Sequence, residues 1–346
     1  MAGASPFGLP LSDLRAVVAD ASDDLARLEG ARILVTGGTG FLGRWLTASL
    51  LAAGVPGPGG QLLLLSRRPD DVRLPAVDWA RLVRGDVAGL AALDGVGPVD
   101  LVVHAAASSS AGFGTGDGEP RAMAATIFDG TRAALAVAAR GAARLLFLSS
   151  GAVYGPRTAP VHEDDGGAPD PLEPRSAYGE AKRLAENLCA SATAAGDVEA
   201  VIARCFAFVG PGIPLRAHYA AGNFLADALE ARPIAVEGDG RPLRSYLYCA
   251  DLARWCVALL VRGIPGRAYN VGSPTAVSIR ELADRCVTAS GRALPVEVGS
   301  APGPGPAPCY VPVVARAKEE LGLQVRVGLD QALARTLGWL RAGHAR

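Results

Sequence analysis

Short, largely apolar runs alternate with longer segments of helical periodicity through the first two thirds of the chain. The runs cover residues 32–36, 61–66, 81–84, 99–104, 144–149 and 199–205. Apolar positions three and four residues apart lie between them and predict helices at 41–53, 120–140 and 178–194. Strands without a polar face are typical of a parallel sheet that helices cover on both sides. The pattern therefore predicts an α/β fold with a doubly wound parallel sheet.

The two ends of the chain follow a looser pattern. Ser12 is expected to cap an amphipathic helix that runs to about Leu28, within a helical extension over residues 1–30. The main domain is expected at 31–205, with 244–272 packing back onto it. Residues 206–243 and 273–346 predict a smaller substrate-binding lobe. Elements in the C-terminal part are expected near 219–231, 234–236, 244–248, 250–261, 268–271, 278–290 and 329–342.

Composition argues against several function classes. The 346 residues contain 34 Lys plus Arg and 34 Asp plus Glu, so no basic surface indicates a nucleic-acid partner. No apolar run reaches the ~20 residues of a membrane span, and no signal peptide is evident. The six cysteines lack a C-x-x-C pair and predict reduced thiols in a cytoplasmic protein. No Cys/His spacing predicts a metal site.

The first strand–helix turn carries a strong ligand-binding signal. Gly37 allows a tight turn, Gly40 lets the backbone approach a pyrophosphate, and Gly43 allows the helix to pack closely on the strand. Amide donors and the positive end of the helix dipole would face the phosphates, so the turn predicts a dinucleotide-binding Rossmann fold. The expected contacts here are Gly37, Thr39, Gly40, Phe41, Leu42 and Gly43.

The ends of the next strands indicate how the dinucleotide is held. Ser66 and Arg67 lie where an NAD site usually has an acidic residue for the ribose, so NADP is favoured, with NAD as the alternative. Arg67 could instead be an ordinary solvated cation. Asp86, followed by Val87, is expected to meet the adenine amino group. Small residues after the fourth strand let the backbone lie against the cofactor, although the histidine there is more typical of a packed residue; these contacts are His104, Ala105, Ala106 and Ala107.

A tyrosine and a lysine one helical turn apart form the candidate catalytic pair. Lys182, one of only two lysines, lies four residues after Tyr178, so both side chains share a helix face. An ammonium near a phenol favours the phenolate, and we expect Lys182 to lower the Tyr178 pKa. Ser150 ends the fifth strand on the same sheet edge and can donate a hydrogen bond to the reacting oxygen. Taken alone, each of these signals is usually structural.

Together these motifs resemble the extended short-chain dehydrogenase/reductase family, and within it the nucleotide-sugar epimerase/dehydratase branch. The resemblance covers 32–340 and includes the segments 204–212, 238–240, 244–248, 251–253 and 269–272. It implies a catalytic triad of Ser150, Tyr178 and Lys182. It also implies that Arg244 grips the substrate diphosphate. Family members commonly form homodimers through a helix bundle that includes the Tyr178 helix.

The resemblance further implies a set of ligand contacts. The ligands would be a nucleotide sugar and NADP or NAD. Further cofactor contacts are implied at Ser149, Tyr178, Lys182, Cys205 and Phe206. Substrate contacts are implied at Ser150, Gly151, Tyr178, Ala207, Asn223, Phe224, Arg244 and Tyr269.

Two positions beside Ser150 discriminate between reactions. The hexose 4,6-dehydratases of this branch carry Asp-Glu there, and the decarboxylases and 3,5-epimerases use a reactive side chain at the second position. This chain has Gly151 and Ala152, and Ala207 replaces a family asparagine. We therefore expect an epimerase that oxidises the sugar C4 transiently, with Tyr178 as the base.

Three alternatives stay open. A nucleotide-sugar 4-ketoreductase needs the same triad. A 4,6-dehydratase would need an acid and a base from elsewhere, such as Glu163 or Asp164, although these are by default solvated charges. A non-catalytic dinucleotide-binding protein would have no reason to keep Ser150, Tyr178 and Lys182 together.

Overall fold

Strands and helices alternate in the computed structural model, which describes residues 6–93, 95–106, 119–141, 144–217 and 219–344. The strands are β1 (Arg32–Thr36), β2 (Gln61–Ser66), β3 (Ala80–Arg84), β4 (Leu101–His104), β5 (Arg144–Ser150), β6 (Glu199–Cys205), β7 (Ala207–Val209), β8 (Ile234–Val236), β9 (Leu243–Arg244), β10 (Tyr246–Tyr248), β11 (Ala268–Val271), β12 (Val277–Ser278), β13 (Val296–Val298) and β14 (Cys309–Tyr310). The helices are α1 (Leu11–Asp20), α2 (Ser22–Ala26), α3 (Phe41–Ala53), α4 (Pro120–Arg140), α5 (Ala177–Ala194), α6 (Ala220–Leu229), α7 (Cys249–Arg262), α8 (Ile279–Ser290), α9 (Ala315–Leu321) and α10 (Leu329–Trp339).

Seven strands form one parallel sheet in the order β11-β6-β5-β4-β1-β2-β3. The strand order reverses between β1 and β4, where open α/β sheets bind ligands at the carboxyl ends of the strands. At this edge Thr36 pairs with His104, and Ser150 pairs with Cys205. The predicted doubly wound Rossmann sheet is confirmed.

Each face of the sheet has its own hydrophobic core. On one face α3 and α7 pack together and bury Trp45 and Trp255. On the other face α4 and α5 bury Ile127 and Ala185. Because both faces are covered, the strands are apolar at successive positions, which is why they could be predicted from sequence.

Helix α4 corrects the expectation that no apolar segment reaches the length of a membrane span. It is the one helix among the described residues that is long and apolar enough to cross a membrane by length and composition. A core helix meets the same criterion, and α4 packs against α5 and the turn Val87–Ala92. Its apolar side chains, such as Ile127 and Val137, are buried against the sheet.

The N-terminal segment departs from the single helix expected over 12–28. Pro10 precedes α1, which begins at Leu11 without a side-chain cap, so the predicted cap at Ser12 is wrong. A break at Ala21 separates α1 from α2. Leu14 and Leu25 belong to the same core as α3 and α7, so the segment packs into the main body. Acid–arginine pairs, each with one buried and one exposed partner, hold it there: Asp13 with Arg335, Asp20 with Arg254 and Asp24 with Arg262.

Small strand pairings shape the C-terminal part of the chain, and its predicted role as a separate lobe stays a prediction. Strand β9 lies between β12 and β14, β8 pairs with β13, and β7 pairs with β10. The strand expected over 244–248 is divided at Ser245, and β7, β13, β14 and α9 were not predicted. These elements have only two to seven residues, too few for a periodic signal. The pairing of β14 with β9 sets Tyr310 opposite Arg244.

Candidate active site

The turn between β1 and α3 is shaped to hold phosphates. Gly37 has φ +70°, and a β-carbon there would lie 2.6 Å from the backbone of Ala105 and Ala106. A β-carbon on Gly43 would collide with the Gly37 carbonyl. Both positions therefore require glycine. The first amides of α3, which have no intrahelical acceptor, follow directly after Gly40 and can bind an anion.

Two predicted cofactor residues at the next strand ends have contrasting surroundings. Arg67 is exposed, and the residues that the structure describes offer it no acidic partner. The Ser66 hydroxyl accepts a hydrogen bond from the Arg68 amide at 3.2 Å. Asp86 is exposed, and its carboxylate accepts from the Ala88 amide at 3.0 Å. Arg67 is thus the available cation at this edge, whereas the Asp86 carboxylate already caps its own turn.

His104 is a packed residue, and both of its ring nitrogens contact protein hydroxyls. Its Nδ1 and Nε2 lie 2.8 Å and 3.2 Å from the hydroxyls of Thr36 and Thr131. Burial lowers the pKa of His104 to about 3, so the ring is neutral. Val87 is also buried, and the predicted cofactor contacts of both residues stay predictions. Ala105 and Ala106 are half-buried at the same edge, and Ala107 lies outside the described residues.

Ser150 and Tyr178 meet where β5 ends and α5 begins. A hydrogen bond joins their side chains, and the Ala152 amide donates to Ser150 Oγ at 3.1 Å. Ser150 is buried and Tyr178 is half-buried. The structure therefore brings together the two hydroxyls that the sequence placed on one sheet edge.

Lys182 lies beneath this pair with a different electrostatic effect from the one expected. Its ammonium donates to the Leu148 carbonyl at 2.7 Å and lies 6.0 Å from the centre of the Tyr178 ring. Burial lowers the pKa of Lys182 to about 8. Burial also raises the pKa of Tyr178, and the hydrogen bond with Ser150 offsets only part of that rise. The prediction of a lowered Tyr178 pKa is wrong because desolvation dominates, and the group that lowers this pKa is Ser150 and not Lys182.

A buried ionic cluster holds the Lys182 helix in place. Glu186, one turn after Lys182, accepts a hydrogen bond from Ser149 Oγ at 2.5 Å. Arg204 donates to both oxygens of Glu186, and also to the Tyr154 hydroxyl at 2.9 Å. The Ser149 hydroxyl is therefore committed to Glu186. Its predicted contact with a cofactor stays a prediction.

The position after Ser150 has room only for glycine. A β-carbon on Gly151 would lie 2.7 Å from the Phe206 ring. Phe206 is buried, and its ring packs against Tyr154 and Tyr310. An acidic side chain at position 151 would therefore displace a packed aromatic residue.

The two carboxylates considered as substitutes are engaged elsewhere. Glu163 is buried and accepts a hydrogen bond from the Asn270 amide at 2.9 Å. Asp164 forms an exposed ion pair with Arg316 at 2.6 Å, and this hydrogen bond lowers the pKa of Asp164. Neither is placed as an acid or base for the Ser150–Tyr178 centre.

Two predicted substrate residues have unused polar atoms. The Arg244 guanidinium lies 5.6 Å from the centre of the Tyr310 ring and has no acidic partner among the described residues. Asn223 Oδ1 is buried, and no hydrogen-bond partner for it occurs in the described part of the chain. A ligand with phosphate oxygens and donor groups would satisfy both. Ala207 is half-buried in β7, beside Phe206.

Three other predicted contact residues are buried, and their contacts with a ligand stay predictions. Tyr269 is fully buried and its hydroxyl donates to Glu320 at 2.7 Å, so it is a core residue. The Phe224 side chain is 3% exposed and belongs to the same core. The Cys205 thiol is also buried, and only its backbone carbonyl faces the centre, where it accepts from Tyr310.

Tyr310 is the site residue that sequence reasoning missed. Its hydroxyl lies 3.3 Å from Ser150 Oγ, so a third hydroxyl joins the centre from the C-terminal part of the chain. Strand β14, which carries it, has two residues and follows a segment rich in glycine and proline. No periodic signal marks such a strand.

The fold and the site together define an enzyme class. A glycine-lined turn before α3 and a Ser–Tyr–Lys centre at the carboxyl edge of the sheet fit an NAD-dependent enzyme of nucleotide-sugar chemistry. The model of the NAD dependent epimerase/dehydratase family matches residues 33–272. The chain belongs to this family.

Similar proteins within this class catalyse different reactions. UDP-glucuronic acid decarboxylase 1 of Arabidopsis thaliana is 31% identical over 316 residues, covering 90% of this chain and 70% of that protein. The structure of MoeE5 in complex with UDP-glucuronic acid and NAD is 27% identical, with a TM-score of 0.73 over 90% of this chain and 99% of that one. UDP-glucose 4-epimerase of Thermotoga maritima has a TM-score of 0.75 at 21% identity, over 90% and 99%, which supports the fold alone.

The lowered pKa of Lys182 predicts a pH dependence of stability. Between about 8 and the ordinary value of 10.5 the unfolded chain binds more protons at this amine than the folded chain, so stability rises with pH. We expect the free energy of unfolding of the wild type, relative to Lys182→Met, to increase across this window with a slope approaching ~1.4 kcal/mol per pH unit. Chemical denaturation from pH 7 to 10 measures it. The exposed Lys318→Met variant is the control, and a flat difference for Lys182→Met would contradict the prediction.

Proposed function

We propose that this chain is a nucleotide-sugar 4-epimerase that oxidises C4 transiently and returns the hydride to the other face of the same carbon. The proposal rests on which side chains the site contains and which proton-transfer groups it lacks. Ser150, Tyr178 and Lys182 converge, while Gly151 and Ala152 supply neither acid nor base. Dehydration and 3,5-epimerisation need a further proton-transfer group, whereas redox at one carbinol carbon does not.

The three side chains divide the work of the reaction. Tyr178 accepts the proton of the C4 hydroxyl while C4 loses its hydride, and Ser150 donates a hydrogen bond to the oxygen as it becomes a carbonyl. Bound NADP or NAD supplies the hydride acceptor and then the hydride donor. The keto sugar turns in the pocket, C4 regains the hydride on its other face, and Tyr178 returns the proton. The two half-reactions cancel, so the cofactor ends unchanged.

Tyr178 must lack a proton before it can accept one. The pKa of Tyr178 itself is raised, which disfavours loss of its proton. Lys182, with a pKa near 8, can lose a proton in its place. A Tyr178–Lys182 pair that has lost one proton is either a phenol beside an amine or a phenolate beside an ammonium. The second arrangement is the reactive form, because only the phenolate can accept the proton of the C4 hydroxyl.

The similar proteins support a nucleotide-sugar substrate. MoeE5 was solved with UDP-glucose and with UDP-glucuronic acid, and the Arabidopsis relative is a UDP-glucuronic acid decarboxylase. A UDP-linked hexose or hexuronate is therefore the first candidate. The Arg244 guanidinium, which donates to the Leu243 carbonyl and has no acidic partner among the described residues, and the unsatisfied Asn223 Oδ1 suit such a ligand.

A panel of sugar nucleotides tests the reaction. The protein is incubated with UDP- and dTDP-linked sugars, with and without NADPH, and the products are separated and weighed. We expect an isomer of unchanged mass and no net consumption of cofactor. Tyr178→Phe should lower kcat at least ~100-fold while cofactor binding is retained, because only the proton acceptor is removed.

Each other product would contradict the proposal in a specific way. Loss of water indicates a dehydratase, loss of carbon dioxide a decarboxylase, and a gain of two hydrogens with NADPH consumed a 4-ketoreductase. Cofactor binding without turnover of any sugar nucleotide indicates a non-catalytic dinucleotide-binding protein. Equal kcat for the wild type and Tyr178→Phe would remove the tyrosine from the mechanism.

We propose NADP as the preferred cofactor, because Arg67 is an exposed cation at a strand end that lacks the usual acid. Arg67→Ala should weaken NADP binding about tenfold through loss of a charge-assisted hydrogen bond, and leave NAD binding within about twofold. Calorimetry or fluorescence titration measures both. Arg68→Ala is the matched control, since Arg68 pairs with Asp71 on the same surface. Tighter binding of NAD than of NADP by the wild type would overturn this preference.

We propose that the chain forms a homodimer through α4 and α5. A surface hollow between these helices is lined mainly by apolar residues, Ala124, Ala125, Phe128, Ala177, Glu180, Ala181 and Leu184. Leu184 is 48% exposed there. Leu184→Asp should shift the protein from dimer to monomer in size-exclusion chromatography with light scattering, because a charge would be buried. Leu172→Asp, at an 89% exposed position elsewhere, is the control, and a dimeric Leu184→Asp protein would contradict this interface.

The thiols support a cytoplasmic location. All six cysteines are free and buried in the fold. Proteins of oxidising compartments commonly pair their cysteines, whereas cytoplasmic proteins keep them reduced. We therefore propose that the protein resides in a reducing compartment, the cytoplasm.

A further inference from the structure

Tyr310 lies in the catalytic centre, yet the mechanism above gives it no role. Strand β14 brings it from the C-terminal part of the chain, whereas Ser150 and Tyr178 belong to the main sheet and its helix. The Tyr310 hydroxyl lies 3.3 Å from Ser150 Oγ and 3.3 Å from the Cys205 carbonyl oxygen. The Phe206 ring, 4.8 Å away between centroids, fixes the position of the tyrosine ring.

The hydrogen-bonding capacity of Ser150 makes this contact consequential. A serine hydroxyl has one proton and two acceptor lone pairs. The Ala152 amide fills one lone pair at 3.1 Å. If Tyr310 donates into the second, the proton of Ser150 must point away from both, toward Tyr178 and the reacting oxygen.

The opposite direction of the Ser150–Tyr310 hydrogen bond would prevent Ser150 from donating to the reacting oxygen. The hydrogen bond from Tyr310 to the Cys205 carbonyl, also 3.3 Å long, competes with donation from Tyr310 to Ser150: when Tyr310 donates to that carbonyl, its oxygen attracts the Ser150 proton, and the reacting oxygen loses its donor. The direction in which Tyr310 donates therefore decides the direction of the Ser150 hydroxyl. Burial raises the pKa of Tyr310 to about 12, so its hydroxyl remains a proton donor at neutral pH.

Resting on the proposed 4-epimerase activity, we infer that Tyr310 is a positioning residue that orients the Ser150 hydroxyl toward the C4 oxygen. Tyr178, Ser150 and Tyr310 then form one chain of hydroxyls from the sheet edge to the C-terminal part of the chain. The β9–β14 pairing, which also carries Arg244, holds the outer member of this chain against the sheet edge.

The substitution Tyr310→Phe tests the role with minimal disturbance, because the ring contacts remain. We expect kcat to fall about tenfold, the value of one hydrogen bond of ~1.4 kcal/mol, with KM and the cofactor Kd within about twofold. Tyr246→Phe is the matched control, since it removes a buried hydroxyl from the neighbouring strand β10 and should leave kcat unchanged. An unchanged kcat for Tyr310→Phe, or a change in KM alone, would overturn the inference.

A double-mutant cycle separates orientation from an independent effect. If Tyr310 acts through Ser150, Tyr310→Phe should lower kcat by less than about twofold in the Ser150→Ala background. The same tenfold loss in both backgrounds would show that Tyr310 acts by itself, which would overturn the role assigned here.

A spectroscopic readout keeps the inference testable apart from activity. The seven tyrosines are labelled with carbon-13 at Cζ and assigned through single Tyr→Phe variants. Ser150→Ala should shift the resonances of Tyr178 and Tyr310, and should leave that of Tyr154, whose hydroxyl is bound by Asn270 and Arg204. An unmoved Tyr310 resonance would overturn the hydroxyl chain. Shifted resonances with no turnover of any sugar nucleotide would instead overturn the 4-epimerase activity and leave the orienting contact standing.

Discussion

A hydrogen bond from the buried Lys182 ammonium to the Leu148 carbonyl ties helix α5 to the end of strand β5. An amine that is 2% exposed loses several kcal/mol of hydration unless it finds such a partner, so the contact fixes where the helix lies. One turn later Glu186 binds Ser149 and Arg204, which adds a second tie between the same helix and the sheet. With these ties in place Tyr178 faces Ser150. The catalytic centre therefore depends on interactions below it.

The residues next to the Ser150–Tyr178–Lys182 centre limit which reaction the site can catalyse. Gly151 leaves room for the Phe206 ring, and that ring in turn supports Tyr310. A carboxylate at position 151 would have to displace this packing before it could move a proton. Members of one family can thus share the cofactor site and the Ser–Tyr–Lys centre while a few neighbouring side chains decide the chemistry. Burial also raises the pKa of Tyr178 and lowers that of Lys182, so desolvation moves the proton affinities of both groups away from their ordinary values.

Much of this arrangement could be predicted from the sequence, for identifiable physical reasons. The central strands of the main sheet are apolar at successive positions because both faces are covered, and the glycines at 37 and 43 are required by close contacts. Parallel strands end at one edge, which was enough to bring Ser150 near Tyr178. The local sequence pattern does not show in which direction a side chain on a strand points. Tyr269 and His104 lie on predicted strands yet point into the packed interior. Tyr310 depends on the pairing of two very short strands far apart in the sequence, which no local pattern reveals.

Turnover in D2O tests the central claim most directly, namely that redox at a single carbon is the whole reaction. If the hydride leaves C4 and returns to C4 within one complex, no carbon exchanges hydrogen with the solvent. After exchangeable deuterons are washed out, we expect an epimerised sugar nucleotide of unchanged mass, with C4 carrying its original hydrogen. A product with deuterium at C3, C5 or C6 would reveal proton chemistry beside C4 and contradict the account.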